Sequence, residues 1–445
     1  MKILFISLGC DKNLADSEEM LGLLTGSGHE IVDSEEDADA IVINTCCFIH
    51  DAKEESVNTI LEMAEYKKTG KCKALIVTGC MAQRYKEEIT QEIPEVDAVL
   101  GTTSYGDIVK ALNEAQAGHV FQEFRDINEL PEDSGRRVLT TGGHFGYLKI
   151  AEGCDKHCTY CIIPSLRGKF RSVPEERLLT QAEYMASQGV KELILVAQET
   201  TVYGTDLYGK KTLHILLKKL CQIKGIRWIR VLYCYPEEIY DELIQVMKEE
   251  KKICNYLDLP IQHASDRILK RMGRRTTRKQ LEDIITKLRR EIPDIVLRTS
   301  LITGFPGETQ EDHEELMEFV DEMEFDRLGV FTYSPEEGTP AETMEGQVSE
   351  KVKEERRDEL MSLQQEISLE KGDERIGQEL VVMIEGKVSG ESAYIARTYA
   401  DAPKVDGYIF VQTGELLVTG DFARVRVTGA LEYDLIGELA DEYTE

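Results

Sequence analysis

Cys154, Cys158 and Cys161 stand in the stretch GCDKHCTYC, a C-x₃-C-x₂-C run with no fourth cysteine nearby. Thiolates are soft ligands that select zinc or iron–sulfur clusters. A closed zinc site takes four protein ligands, and the one histidine in the run, His157, adjoins Cys158 too tightly for both to share a metal comfortably. Ferredoxin-type runs supply four cysteines per cluster, partly from a distant position. Three thiols at this spacing most simply ligate three irons of a 4Fe-4S cube and leave the fourth iron open to a small molecule.

A second set of cysteines has no local spacing but a shared context. KILFISLGC ends at Cys10, DAIVINTC at Cys46 and KALIVTGC at Cys80, and each is an apolar run of strand length. Helix-like stretches such as DSEEMLGLLTG separate them. Strands alternating with helices imply a parallel sheet with right-handed crossovers, whose strand carboxyl ends share one edge. Ligands of open α/β folds bind at that edge, so the fold itself brings Cys10, Cys46 and Cys80 together. Cys47 follows Cys46 directly and points the other way in an extended backbone, which makes it a poor ligand for the same site. Cys72, Cys221, Cys234 and Cys254 lie in or beside apolar runs without paired spacing and read as core.

These elements predict an α/β chain in three parts. Residues 1–120 read as a flavodoxin-like domain, and the polar stretch EFRDINELPEDSGRRVLTTGGH as the linker that follows it. Residues 140–372 carry about six strand–helix units, fewer than the eight of a complete TIM barrel, and end in a charged helix whose apolar stripe is Val352, Leu360, Leu363 and Ile367. The C-x₃-C-x₂-C run begins where the first of those strands ends. Residues 373–445 change to short strands with Gly turns, a small all-β, OB-like barrel. Gln198, Gln262 and Arg298 fall at or near barrel strand ends, where either cofactor contact or a satisfied polar interior would suit them. His263 reads as buried and polar. GFPGET, Gly304 to Thr309, lacks the Lys of a P-loop and reads equally as a turn before a helix capped by Thr309 and Asp312.

Charge narrows the partners. With 53 basic and 83 acidic residues the formal charge is −30, which disfavours broad attraction to nucleic acid. From Asp373 onward six basic residues face fifteen acidic ones, a net of −9 that suits a basic protein better than RNA. KRMGRRTTRK, residues 270–279, is the exception, read chiefly as a solvated helix–turn surface and otherwise as a phosphate-contacting patch. MKILFIS is too short for a signal peptide, no stretch approaches ~20 apolar residues, and eleven cysteines suit metal or redox chemistry. The expectation is a cytoplasmic protein with no membrane partner.

The C-x₃-C-x₂-C loop, with Tyr160 just before its last cysteine and a partial β/α barrel behind it, resembles the radical S-adenosylmethionine (SAM) superfamily. The whole chain is similar to its methylthiotransferases, which join a flavodoxin-like domain, a radical SAM core and a TRAM domain. SLGCDKNLADSE, CIIPSLRGKFRS, AQETTVYG, YLDLPIQHASDRILKRMGR and RTYADAPKVDGYIFV resemble the RimO branch. The resemblance implies SAM on the open iron at Cys154, Cys158 and Cys161, with the Gly304 backbone close to it. It also implies a second 4Fe-4S cluster on Cys10, Cys46 and Cys80 that holds the sulfur to be transferred. The expected substrate is an aspartate β-carbon of small-subunit ribosomal protein S-twelve, free or on the ribosome, with flavodoxin or ferredoxin as the low-potential electron donor. The alternatives are the tRNA adenosine branch, whose TRAM domain is more basic, and a non-catalytic iron–sulfur protein that docks on the ribosome. tRNA is the less favoured partner.

Overall fold

The computed structural model describes residues 1–132 and 135–444. The apolar runs near the start fold as parallel strands β1 (Lys2–Ser7), β2 (Glu30–Val32), β3 (Ala40–Thr45), β4 (Ala74–Gly79), β5 (Ala98–Leu100) and β6 (Phe121–Glu123). Their spatial order is β2-β1-β3-β4-β5-β6. β3 and β4 are buried along their whole length, as parallel strands covered on both faces must be. The first five strands have the flavodoxin-like order, whose switch point lies between β1 and β3. Cys10, Cys46 and Cys80 follow β1, β3 and β4, so all three stand at the carboxyl edge around that point.

A second sheet takes its six parallel strands in chain order: Phe145–Lys149, Glu192–Val196, Trp228–Val231, Ile253–Asp258, Val296–Thr303 and Arg327–Thr332. It does not close, which makes it the incomplete barrel expected from six units. Helix Glu350–Asp373 lies along its last strand, Arg327–Thr332. Leu360 and Ile367 of the expected stripe are buried there, but Val352 and Leu363 are only half-buried, and Lys353, Arg356 and Gln364 are buried instead. A polar face is needed because an edge strand and its flanks present unpaired backbone groups. Gln364 Nε2 donates to Phe325 O at 2.8 Å and Lys353 Nζ to Tyr333 O at 2.8 Å, one at each end of the strand.

The last module is a closed five-stranded barrel with one parallel pair, Ile409–Gln412 with Leu435–Thr444. It seats on the first residues of the barrel strands. Phe422 meets Trp228 edge-on at 4.8 Å, and Met383, Ala400 and Ala402 complete an apolar cluster with Phe145, Cys254 and Val296. Around that cluster the charges interlock. Arg397, with no exposed side-chain surface, pairs with Glu192 and Glu385 at 2.7 Å each, Arg230 reaches Glu192 at 2.8 Å, and Arg327 reaches Asp401 at 2.6 Å. Asp401 thus spends some of the module's acidity on a barrel arginine, and Glu385 on the module's own Arg397.

Burial works against the charges of Glu192, Glu385 and Asp401, yet the facing arginines, with His144 at Glu385, hold all three carboxyls below their ordinary range. Folded-state values below those of the unfolded chain contribute stability that is complete above about pH 5 and lost as pH falls below about 4. Arg397→Ala leaves Glu385 with only His144 opposite it and Glu192 with only Arg230. It should lower stability by about 3–5 kcal/mol at neutral pH, with a smaller deficit in acid. Thermal unfolding of wild type and variant across pH measures this. An unchanged midpoint at pH 7 would show that the Trp228–Phe422 contact alone holds the module.

Candidate functional site

The carboxyl edge of the first sheet faces the carboxyl edge of the second. Arg84, in helix Cys80–Tyr85, reaches Glu336 beyond the last barrel strand at 3.2 Å, and His50 N donates to Ser334 Oγ at 3.4 Å. Helix Asp11–Gly26 lies against the first barrel strand. Both cysteine sets thus meet at one interface between the two domains.

Around Cys10, Cys46 and Cys80 the loops run too close for side chains at two glycines. A Cβ on Gly9 (φ +85°) would meet Cys46 Cβ at 2.7 Å and its Sγ at 2.9 Å, and one on Gly79 (φ +94°) would meet Thr45 O at 2.6 Å. Asn13 pins the three strand ends together. Its Nδ2 donates to Leu8 O at 3.1 Å and Thr45 O at 2.8 Å, and its Oδ1 lies 3.9 Å from Cys80 Sγ. Ser56 clasps Cys46, accepting from its N–H at 3.0 Å and donating to its carbonyl at 2.8 Å. Burial, with Cys80 and Cys10 nearby, pushes the Cys46 thiol up to about 12. Cys47 is fully buried in the apolar core, where burial and Cys80 raise its thiol to about 12 against the opposing pull of Arg84. Cys72, Cys221, Cys234 and Cys254 are buried, as expected.

The second set sits in a loop closed at its base by the antiparallel pairing of Ala151–Glu152 with Arg171–Ser172. Gly153 (φ +75°) lets the chain turn there, since a Cβ would meet Gly168 O at 2.5 Å. Cys154 N then donates to Gly168 O at 3.1 Å, Thr159 N to Met272 O at 2.9 Å and Cys161 N to Cys158 O at 3.1 Å. Burial raises the thiols of Cys154, to about 11, and Cys161, to about 12. Protonated thiols must lose protons on metallation, so cluster assembly releases protons. Tyr160 packs edge-on to Phe305 with ring centroids 6.3 Å apart, making an aromatic wall beside Cys158. A cavity of about 60 Å³ opens there, lined by His157, Cys158, Tyr235, Glu237 and Arg274. A larger concavity of about 580 Å³ lies away from both cysteine sets, between helices Glu175–Ser187 and Leu213–Cys221. No three His, Cys, Asp or Glu side chains of the described residues converge tightly enough to hold a single metal ion.

Several buried polar atoms near this loop have no protein partner: Gln198 Oε1, Glu199 Oε2, and Arg274 Nε and Nη1. Glu199, which the sequence did not single out, is held through its other oxygen by Thr201 N at 3.1 Å, and burial lifts its carboxyl to about 7. Its place directly after Gln198, beyond the second barrel strand, was the available signal. The Arg274 guanidinium lies 4.4 Å over the Tyr235 ring.

Arg298 pairs with Asp258 at 2.9 Å and with Asp406 of the small module at 3.3 Å. Gln262 holds φ +72° and bridges the neighbouring strand through Ser300 O and Ile302 N. Gly304 (φ +70°) faces the Lys353 side chain, which a Cβ would meet at 2.1 Å, and Thr309 forms a capping box with Asp312. His263 is fully buried, accepting from Ser265 N at 3.0 Å. In the basic stretch Arg271 donates to Pro306 O, Arg274 is buried, and Arg278 and Lys279 are ringed by carboxylates, while Lys270 and Arg275 are exposed.

Arg167 joins the two sets. From helix Ile163–Arg167, just after Cys161, it reaches Asp16 at 2.8 Å, Glu152 at 3.0 Å and also Asn13 Oδ1. Lys149 bonds the same Asp16 and lies 3.4 Å from Glu152. Burial opposes the charge of Glu152, but Lys149 and Arg167 hold its carboxyl at about 2.

The chain matches three families in succession: Uncharacterized protein family UPF0004 over residues 2–101, the Radical SAM superfamily over 148–320 and the TRAM domain over 376–440. Among solved structures it is similar to TsrM, a radical SAM methyltransferase from Kitasatospora setae (TM-score 0.55, 12% identity, 76% of this chain and 73% of that one). It also resembles OxsB, a cobalamin-dependent SAM radical enzyme (TM-score 0.52, 16% identity, 82% of this chain and 56% of that one). At these identities the likeness is one of fold. Three relatives carry the name ribosomal protein uS12 methylthiotransferase RimO. That of Lachnoclostridium phytofermentans is 64% identical over 98% of this chain and 99% of its own. Those of Clostridioides difficile and Acetivibrio thermocellus are 49% and 50% identical, each over 99% of both chains. With matches of that length at either end of the fold and across its centre, the chain belongs to the RimO family of radical SAM methylthiotransferases.

Proposed function

We propose that this chain adds a methylthio group to the β-carbon of an aspartate in ribosomal protein uS12, using SAM and two 4Fe-4S clusters. The first cluster would be held by Cys10, Cys46 and Cys80, the second by Cys154, Cys158 and Cys161. The observation that carries the reading is the facing of two three-cysteine sets across one interface, each short of a fourth protein ligand. When bound, the clusters and SAM supply reductive hydrogen abstraction and the sulfur and methyl groups.

The chain's own residues supply placement. Spread thiols suit the faces of a multi-iron cluster better than a single ion. The orphaned oxygen of Glu199 is placed to accept from the ammonium of an amino-acid moiety, and Arg274 and Gln198 have unused polar atoms for the remaining groups. A charged ligand with both signs fits that cradle, which an unliganded protein would leave costly. Tyr160, Phe305 and Tyr235 form the aromatic side that excludes water. Because a carbon radical does not survive diffusion, both sets must serve one bound side chain, and facing edges meet that demand. An acidic module favours a basic protein substrate over tRNA. Reductive chemistry calls for a low-potential donor of flavodoxin or ferredoxin type. No helix among the described residues is long and apolar enough to cross a membrane. The units we assign are 1–120, 140–372 and 373–445.

Anaerobically reconstituted protein, given uS12, SAM and reductant, should yield methylthiolated aspartate by mass spectrometry, and unmodified uS12 with modified tRNA would overturn the reading. Iron content should be about eight per chain. The triple variant Cys154→Ala, Cys158→Ala, Cys161→Ala should keep about half and cleave no SAM. Cys46→Ala should abolish methylthio transfer and Cys47→Ala should not, and the reverse result would move the ligand by one residue. Glu199→Gln should raise the KM for SAM about tenfold or more through loss of a charge-assisted bond, with iron content unchanged.

A further inference from the structure

Nine Lys and Arg side chains are buried among the described residues: Lys12, Arg137, Lys149, Arg167, Arg230, Arg274, Lys353, Arg356 and Arg397. Seven of them form ion pairs with carboxylates. Arg274 belongs to the Cys154 cradle already described. Lys12 remains. It lies in the first turn of helix Asp11–Gly26, two residues from Cys10, with 6% of its surface exposed. No Asp or Glu oxygen of the described residues comes within 4.0 Å of its ammonium.

What it meets instead is the face of Tyr233, 3.3 Å from the ring centroid. A ring face returns far less to a cation than full desolvation of an ammonium costs. Tyr233 itself is held at φ +59°, a left-handed conformation that is an outlier for a bulky aromatic. Two flanking loops enforce it: Tyr233 N donates to Asp258 Oδ2 at 3.1 Å, and its carbonyl accepts from Thr200 N at 3.1 Å. Backbone strain of this kind clusters at ligand clamps. The carboxylate nearest to Lys12 in sequence, Asp11, attracts it only from beyond 4.0 Å, is turned towards the Tyr147 hydroxyl and feels Lys404 and Arg298 as well.

We propose that Lys12, seated on Tyr233, receives the side-chain carboxylate of the target aspartate and so fixes its β-carbon between the two cysteine sets. This deepens the substrate reading above and rests on it. A buried ammonium with no carboxylate in contact can take one more anion, and a carboxylate one bond from the reacting carbon fits. The contact distinguishes aspartate from asparagine, because a neutral amide brings the ammonium no opposing charge. Lys12 is in this account a specificity-determining residue.

The test uses anaerobically reconstituted full-length protein and purified uS12 carrying either the native aspartate or Asn at the target position. Binding of both forms is measured to wild type, Lys12→Met and Lys12→Arg, with iron content checked for each. Wild type should prefer the aspartate form by about tenfold or more. Lys12→Met should bind both forms alike, at the level of the asparagine form, and Lys12→Arg should retain a preference. Undiminished preference in Lys12→Met overturns the proposal, as does an equal loss for both forms, which would assign Lys12 to cluster charge or packing. Wild type that binds neither form would overturn the substrate reading, and with it this inference.

Discussion

Arg167 is where the two halves of this chemistry are tied together. Its guanidinium, 2% exposed, touches Asp16 and Asn13 of the first domain and Glu152 at the base of the loop carrying Cys154, Cys158 and Cys161. Lys149 bonds Asp16 and lies 3.4 Å from Glu152, so two buried cations face two buried anions. Such a network adds little net stability, but each member left without its partners is expensive. Geometry is what it secures: the cysteine loops cannot shift apart without exposing an unpaired buried charge.

The rest of the architecture follows from having to present two strand edges to each other. A flavodoxin-like sheet offers its ligands at one edge, and an incomplete barrel offers its own at the strand carboxyl ends. Docking these edges leaves the amino ends of the barrel strands uncovered, and the small β-barrel closes them with Phe422 against Trp228 and Arg397 between Glu192 and Glu385. The same module meets Arg298 and Tyr256 of the barrel through Asp406.

Much of this was legible in the sequence because it is local or periodic. The spacing of Cys154, Cys158 and Cys161 is read within nine residues, and Cys10, Cys46 and Cys80 are found by noticing that each ends the same kind of strand. What the sequence hides is long-range pairing. Asn13 and Arg167 meet across 154 positions, and nothing around either announces the other. Arg298, at a strand position that suits a ligand contact, is engaged by Asp406 from another domain. The stripe read on helix Glu350–Asp373 was partly displaced because an apolar rule cannot foresee an edge strand asking for Gln364 and Lys353. Lys12 is invisible for a related reason, since a lysine's burial depends on a ring that arrives from residue 233.

The central claim is that both cysteine sets open on one cavity. Electron paramagnetic resonance of the dithionite-reduced protein, loaded with both clusters, tests it most directly. Facing sites predict spin–spin interaction between the clusters, absent from a variant lacking Cys10, Cys46 and Cys80. A spectrum equal to the sum of two non-interacting clusters, each recovered unchanged when the other is removed, would contradict it.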